Sequence, residues 1–212
     1  MGEYEAPRRL AVIKAAEQIK DGNVIGLGSG STIAGAIEEI AKVLKERSLK
    51  ALFIPTSHQI ELAAITHGLK LALFTEYPEP DLAIDGADQV DERLNMIKGG
   101  GAALAREKVV DASAKKLLIV VDEQKLVKKL GEQQPVPLEV LPFAHQAVIR
   151  RISKLGGKPT LREGKGKVGP IVTDNGNFIV DSDFGTIDNP ANLERELKSI
   201  PGIIETGLFV DM

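Results

Sequence analysis

Residues 23–32 read NVIGLGSGST, and this stretch is the strongest indication of the fold class in the sequence. Its first five residues form a short apolar strand, and the glycines that follow allow a tight turn. A helix is predicted next, with Ile33, Ile37, Ile40 and Leu44 on one face. A strand, a glycine-rich loop and a helix in this order are typical of α/β proteins.

The same alternation continues along the chain. Apolar strands are predicted at residues 51–54, 69–74, 82–85 and 117–121, with helices at residues 6–20, 57–67 and 101–113. Continuous apolar strands that alternate with helices predict a parallel sheet covered on both faces, that is, a Rossmann-like α/β domain.

The pattern changes after about residue 128, where a Pro-rich connection begins. The elements then read as a strand at 138–141, a helix at 144–154, a strand at 158–162, a hairpin at 170–181, a helix at 190–198 and a strand at 203–209. This β-α-β-β-α-β order predicts a smaller, ferredoxin-like α+β domain. We expect residues 1–128 and 206–212 to form the large catalytic domain, and residues 129–205 to form the small domain that flanks the site and mediates oligomerisation.

The composition excludes several classes of function. The 212 residues include 27 Lys and Arg against 30 Asp and Glu, and this net charge of −3 argues against nucleic acid as a partner. Because there is no cysteine, disulfides, thiolate catalysis and cysteine-ligated metals are excluded. The longest uncharged run, residues 22–37, is too short and too polar to span a membrane, and charges at Glu3 and Glu5 argue against a signal peptide. We therefore expect a cytoplasmic protein.

Three clusters could carry chemistry, and the first is the glycine loop itself. Free backbone N–H groups at the start of a helix attract anions, and the hydroxyls of Ser29, Ser31 and Thr32 would suit a phosphate. The loop does not match the dinucleotide-binding fingerprint, because Ser31 stands where a third glycine is needed, and it lacks the lysine of a Walker loop. The alternative is a tight turn with a Ser or Thr N-cap.

The second cluster reads DGAD at residues 85–88. Asp85 falls at the carboxyl end of an apolar strand, where open α/β sheets bind ligands, and Gly86 lets Asp88 turn back toward the same edge. Such carboxylates could move protons, hold sugar hydroxyls or bind magnesium. They could also cap the loop as Asx-type turns.

The third cluster reads KGGGAALAREK at residues 98–108. Three consecutive glycines suggest a close approach of the backbone to a ligand, and Lys98 supplies a cation. Glu107 on the following helix is a candidate base, because burial would raise its pKa. The alternative is a glutamate on a solvated face, paired locally with Arg106, Lys108 or Lys115.

A lysine and three histidines are weaker candidates for site residues. Lys125 follows another strand end and is a possible site residue. The histidines at positions 58, 67 and 145 lack the spacing of metal ligands, although His58 also follows a strand end and could contact a substrate.

Together and in this order, the three clusters resemble ribose-5-phosphate isomerase of the A type. The resemblance extends to PLEV at 137–140, LGG at 155–157, TDNGN at 173–177 and IPG at 200–202. It implies interconversion of D-ribose 5-phosphate and D-ribulose 5-phosphate through an enediolate, in the non-oxidative pentose phosphate pathway. It also implies no metal or organic cofactor, and a homodimer or homotetramer.

The resemblance also assigns roles to individual residues. Glu107 would be the general base, Asp85 and Asp88 would act in ring opening or in moving protons between oxygens, and Lys98 would stabilise negative charge. The residues expected to bind the substrate and its phosphate are Ser29, Gly30, Ser31, Thr32, Gly99, Gly100 and Lys125.

Two other functions share some of these features. A sugar-phosphate sensor domain could use the same loop and sheet, but it would have no use for Glu107. An enzyme acting on an amino-sugar phosphate is the closer alternative.

Overall fold

The computed structural model describes residues 5–164, 166 and 168–212, with side chains from residue 10 onward. In chain order its helices and strands are α1 (Glu5–Ala16), β1 (Val24–Leu27), α2 (Ser31–Glu46), β2 (Leu52–Pro55), α3 (His58–Thr66), β3 (Lys70–Leu71), β4 (Leu82–Asp85), β5 (Gln89–Val90), β6 (Met96–Ile97), α4 (Leu104–Ser113), β7 (Leu117–Ile119), β8 (Val136–Val140), α5 (His145–Lys154), β9 (Lys158–Leu161), β10 (Phe178–Asp183), α6 (Pro190–Lys198), β11 (Ile203–Thr206) and β12 (Leu208–Phe209). The part of the chain that the structure describes contains no helix long and apolar enough to cross a membrane.

The chain divides into two compact units. Unit 1 consists of Met1–Gly86 and Arg106–Glu123, and unit 2 consists of Ala87–Ala105 and Gln124–Met212. The division into domains made from the sequence, at residues 128 and 206, stays a prediction.

Unit 1 is built on a parallel sheet of five strands in the order β3-β2-β1-β4-β7. The chain builds outward from β1 to β3 on one side and then resumes with β4 on the other side of β1. The carboxyl ends of β1 and β4 therefore form a topological switch point, which is the place where such sheets bind ligands. The predicted Rossmann-like parallel sheet is confirmed.

The two faces of this sheet are covered unequally. Alternate residues such as Ile25, Leu27 and Phe53 pack against helices α1, α2 and α3 in the larger core. The opposite face carries a small cluster of Val24, Ile54, Ala72 and Val110. A Cβ at Gly26 would lie 2.4 Å from Val110 Cγ1, so the absence of a side chain there allows α4 to pack closely on β1.

Several predicted elements are shorter than expected. The first helix ends at Ala16 and not at residue 20, and the strand predicted at 69–74 is regular only over Lys70–Leu71. Helix α4 begins at Leu104 and not at residue 101, because Gly99 and Ala102 have φ values of 105° and 61°, which a right-handed helix does not allow.

Unit 2 contains an antiparallel sheet in the order β11-β8-β10-β9. Its connection order is β8-α5-β9-β10-α6-β11, so the predicted ferredoxin-like arrangement is confirmed. One face of the sheet packs Val136, Leu138, Val140 and Val180 against side chains of α5 and α6, among other residues, in a continuous apolar core.

Two predicted strands of unit 2 differ in detail. The strand predicted at 203–209 is two strands, β11 and β12, and β12 pairs with β6 in a separate sheet. The break falls at Gly207, which donates its N–H to Pro137 O at 2.7 Å and accepts from Lys98 N at 2.9 Å. In the predicted hairpin at 170–181, only β10 is a regular strand, and Val172 joins it through an isolated bridge to Phe178.

Candidate active site

The glycine loop at the carboxyl end of β1 passes directly against Asp85, the last residue of β4. Gly28 donates its N–H to Ile84 O at 2.9 Å. A Cβ at Gly28 would lie 1.8 Å from Asp85 Cγ, so only glycine leaves room for this carboxylate. Asp85 is fully buried, and its Oδ1 accepts from Gly86 N at 2.6 Å. The glycine at position 28 is thus explained by a buried acid at the switch point.

Helix α2 begins at the end of this loop without a side-chain cap. Its N-cap is Gly30, with φ of 94°, and no side chain bonds to the first turn there. The alternative of a Ser or Thr N-cap is therefore wrong for α2. The N–H groups of the first turn and the positive end of the helix dipole suit an anion. Ser31 and Thr32 are the first two residues of α2, and they are exposed and half-buried, respectively.

Ser29 links the loop to the candidate base. Its backbone N–H donates to Glu107 Oε1 at 3.0 Å, and Glu107 is only 4% exposed. Glu107 is therefore a buried side chain of α4 and does not lie on a solvated face. Lys115, a basic residue close by in sequence, instead forms an ion pair with Asp81 at 2.8 Å.

The hydroxyl of Ser29 bonds to two residues that the sequence analysis did not select. Ser29 Oγ lies 2.8 Å from Thr56 Oγ1 and donates to Ser57 Oγ at 2.7 Å. Thr56 Oγ1 in turn donates to Leu27 O at 2.9 Å. Both residues follow the carboxyl end of β2, which is a neighbour of β1, and this position in a parallel sheet was the signal that could have identified them.

In unit 2, the segment that begins at Lys98 is held by several contacts. Lys98 is only 2% exposed, and its Nζ lies 5.2 Å from the centroid of the Phe209 ring. Gly100 donates its N–H to Asp88 Oδ2 at 2.8 Å. A Cβ at Gly100 would lie 2.8 Å from Asp88 Oδ1, and Gly99 has a positive φ, so these glycines serve protein packing directly.

The other residues selected from the sequence are placed as follows. Lys125 ends a short 3-10 helix, Glu123–Lys125, and is half-buried. His58 is exposed, and its Nδ1 lies 3.1 Å from Glu61. Within the described residues, no three His, Asp or Glu side chains are grouped as metal ligands.

The structure thus brings part of the predicted set together in each unit. In unit 1, Ser29, Asp85 and Glu107 meet around the glycine loop, with the start of α2 next to them. In unit 2, Asp88 and Gly100 are in contact.

The chain is similar in sequence and structure to proteins named ribose-5-phosphate isomerase A. The family model described as ribose 5-phosphate isomerase A (phosphoriboisomerase A) matches residues 52–212. A relative from Archaeoglobus fulgidus named ribose-5-phosphate isomerase A is 50% identical over 210 residues, covering 98% of this chain and 90% of the relative.

Two solved structures are similar over almost the whole chain. Ribose 5-phosphate isomerase A from Methanocaldococcus jannaschii has a TM-score of 0.94 at 43% identity, covering 98% of this chain and 92% of that one. A D-ribose-5-phosphate isomerase in complex with phospho-erythronic acid has a TM-score of 0.94 at 45% identity, covering 98% of this chain and 91% of that one. The sequence, the sheet and the family model agree, and the chain belongs to the ribose 5-phosphate isomerase A family.

Proposed function

We propose that this protein interconverts D-ribose 5-phosphate and D-ribulose 5-phosphate in the non-oxidative pentose phosphate pathway. The observation that carries the proposal is the contact between Glu107 and Ser29. It joins a buried carboxylate to a glycine loop whose helix has no side-chain cap. A base beside an anion-binding loop is what an isomerase of sugar phosphates needs.

The phosphate of the substrate is assigned to the glycine loop. The N–H groups at the start of α2 and the hydroxyls of Ser31 and Thr32 supply hydrogen bonds for its oxygens, and the Ser29 hydroxyl joins them when its O–H turns from Ser57 to the phosphate. Thr56 and Ser57 hold the Ser29 hydroxyl in place. Gly30 permits the turn, and Lys125 is a further candidate cation for this group.

The proton transfer between carbons is assigned to Glu107. Its carboxylate removes the proton from C2 of the open-chain aldose, which leaves an enediolate, and returns a proton to C1 to give the ketose. The carbon skeleton and the oxidation state of the whole molecule are unchanged. The Ser29 N–H fixes one oxygen of this carboxylate, so the base keeps its orientation.

The charge of the enediolate is assigned to Lys98, and the N–H of Gly99 is a further candidate donor, whereas the Gly100 N–H already donates to Asp88. Asp85 and Asp88 are assigned to ring opening and to proton movement between the two substrate oxygens. We propose that this chemistry proceeds without a metal.

A direct assay tests the proposed function. The purified protein is mixed with ribose 5-phosphate and EDTA, and ribulose 5-phosphate is followed by NMR. We expect turnover that is unchanged by EDTA, and competitive inhibition by phospho-erythronic acid, the ligand in one of the similar structures. No product would contradict the proposal. Product that forms without EDTA but not in its presence would instead support a metal bound by Asp85 and Asp88.

We propose further that the protein is a cytoplasmic homodimer or homotetramer, and that residues 129–205 supply the contacts. Phe143 supports this assignment, because it is a large apolar side chain that is 96% exposed. Light scattering should show an oligomer that dissociates in Phe143→Asp. A wild-type monomer, or an unchanged mass for the variant, would contradict it.

A further inference from the structure

Arg162, which directly follows β9, holds the backbone of the triglycine segment in unit 2. One guanidinium nitrogen, Nη1, donates to both Gly99 O and Gly100 O at 3.0 Å. Nε donates to Asp181 Oδ2 at 2.7 Å, and Nη2 donates to Asp181 Oδ1. The side chains of Arg162 and Asp181 are only 15% and 22% exposed. The guanidinium is therefore a bridge between a carboxylate on β10 and two consecutive carbonyl groups.

Only arginine can make this set of bonds. Its guanidinium is planar and carries five N–H donors in a fixed fork, so it can bond a carboxylate with one edge while another N–H group faces two carbonyls. A lysine ammonium at this position would be a single point with no fixed plane. Asp181 fixes the plane of the fork, which determines where Nη1 points.

The two carbonyl bonds determine the direction of the N–H groups of the segment. In a trans peptide the carbonyl and the following N–H point in opposite directions. Because Gly99 O faces Arg162, the N–H of Gly100 faces away from it, and it donates to Asp88 Oδ2 at 2.8 Å. By the same geometry the N–H of Gly101 faces away from Arg162.

The bonds from Arg162 are needed because the triglycine segment has little rigidity of its own. Three consecutive glycines have more backbone freedom than any other tripeptide, and Gly99 lies in the left-handed region that other residues avoid. Without an external contact these peptide planes would sample several orientations. Arg162 and Asp88 fix them from opposite sides.

We propose that Arg162, held by Asp181, is a positioning residue for catalysis that orients the peptide planes following Lys98. The inference rests on the proposed roles of Lys98 in stabilising the enediolate and of Asp88, which the Gly100 N–H contacts, in moving protons between the substrate oxygens. Substrate binding is assigned mainly to the glycine loop of unit 1, so Arg162 acts on kcat and leaves KM nearly unchanged.

The test compares Arg162→Ala, Arg162→Lys and a matched control. Lys198→Ala is that control, because Lys198 Nζ also bridges a carboxylate, Glu205 Oε2 at 2.9 Å, and a backbone carbonyl, Ile204 O at 2.8 Å, in the same unit. We expect kcat to fall about 10- to 100-fold in Arg162→Ala, the loss that follows when reacting groups are misplaced. Arg162→Lys should recover only a small part of this loss, and Lys198→Ala should keep the wild-type kcat.

Two further measurements separate positioning from general stability. Guanidinium ion at millimolar concentration should restore part of the kcat of Arg162→Ala but not of Glu107→Gln. Hydrogen exchange of the peptide covering residues 98–103 should become faster in both Arg162 variants, in the absence of any substrate. This second measurement remains informative even if ribose 5-phosphate proves not to be the substrate.

The inference would be overturned by a wild-type kcat in Arg162→Lys, whether or not Arg162→Ala folds. It would also be overturned if exchange in the triglycine peptide were unchanged in that variant. Faster exchange with an unchanged kcat would show that the orientation of the segment does not limit the reaction, and would equally overturn it.

Discussion

Among the residues whose side chains the structure describes, two glutamates are buried, and their surroundings differ. Glu107 is 4% exposed and accepts from the backbone N–H of Ser29 in the glycine loop. Glu139 on β8 is fully buried, and its Oε1 accepts from three side chains of one turn, Thr173, Asn175 and Asn177, at 2.8–3.0 Å. Glu139 Oε2 is buried without a hydrogen-bond partner among the described residues.

We infer from this difference that burial alone does not distinguish the proposed base from a structural glutamate. Glu139 on β8 accepts hydrogen bonds from the TDNGN turn at 173–177 and so fixes this turn against the sheet. Glu107 lies at the carboxyl edge of a parallel sheet, beside the glycine loop to which we assign the phosphate. We therefore assign chemistry to Glu107 and structure to Glu139.

The largest expected effect is that of Glu107→Gln on turnover. An amide of the same shape cannot accept the C2 proton, so kcat should fall about 10²- to 10⁴-fold. The fold should persist, since the amide oxygen can still accept from Ser29 N. Steady-state kinetics and thermal unfolding check both statements, and a turnover near that of the wild type would break the contrast between the two glutamates.

Glu139→Gln should lower the stability of the protein and leave its turnover unchanged. A neutral acceptor that also carries an N–H group is a poorer partner for three donors, so the free energy of unfolding should fall by roughly 1–3 kcal/mol. The kcat of the folded protein should be unchanged. Urea unfolding and kinetics at a temperature well below the unfolding transition check this pair of outcomes. A large loss of kcat with unchanged stability would reverse the two assignments.

Ser31→Ala sharpens the assignment of the loop beside Glu107. Loss of one hydrogen bond to a charged phosphate costs about 1.4 kcal/mol, so KM for ribose 5-phosphate should rise ~10-fold with kcat unchanged. Ser113→Ala is the control, because the Ser113 hydroxyl bonds only to Val109 O within α4 among the described contacts. An unchanged KM in Ser31→Ala would remove this hydroxyl from the phosphate site.

Asp81 offers a smaller, structural counterpart to Glu139, just before the amino end of β4. Its hydrogen bond from Lys115, followed by that from the backbone N–H of Val24, lowers its pKa below the usual value of 3.8. Because the folded-state pKa is the lower one, the stabilisation is present above about pH 4 and is lost as the pH falls through the folded-state value.

Replacement by Asn should therefore cost about 1 kcal/mol at pH 6, since the Lys115 ammonium is largely exposed and solvent screens it. The difference from the wild type should shrink as the pH falls below about 4. Unfolding measured from pH 3 to 7 checks it. A difference that stays constant over this range would show that the carboxylate charge of Asp81 does not contribute.

The sequence predicted the features that depend on local patterns of residues. Apolar strands alternating with helices gave the parallel sheet, and the position of Asp85 at a strand end placed it correctly at the carboxyl edge. The sequence marks Gly28 and Gly100 as unusual but does not give the reason. Gly28 leaves room for Asp85, and Gly100 leaves room for Asp88.

Contacts that depend on the tertiary fold could not be found in this way. Ser29 joins Thr56, Ser57 and Glu107 because β1, β2 and α4 are neighbours in space, and the sequence does not give side-chain distances. Arg162 lies more than sixty residues after the carbonyls that it bonds, so nothing in the local pattern marks it. Short strands such as β5 and β6 have too few residues for a period to be visible.

The most direct test of the role of Glu107 is hydrogen exchange at carbon. Ribose 5-phosphate is incubated in D2O with wild-type protein or with Glu107→Gln, and the substrate C2 and product C1 positions are followed by proton NMR. We predict deuterium at C1 of the ketose with the wild type, and incorporation at least about 100-fold slower with the variant. Incorporation at the wild-type rate in Glu107→Gln would show that another group moves this proton.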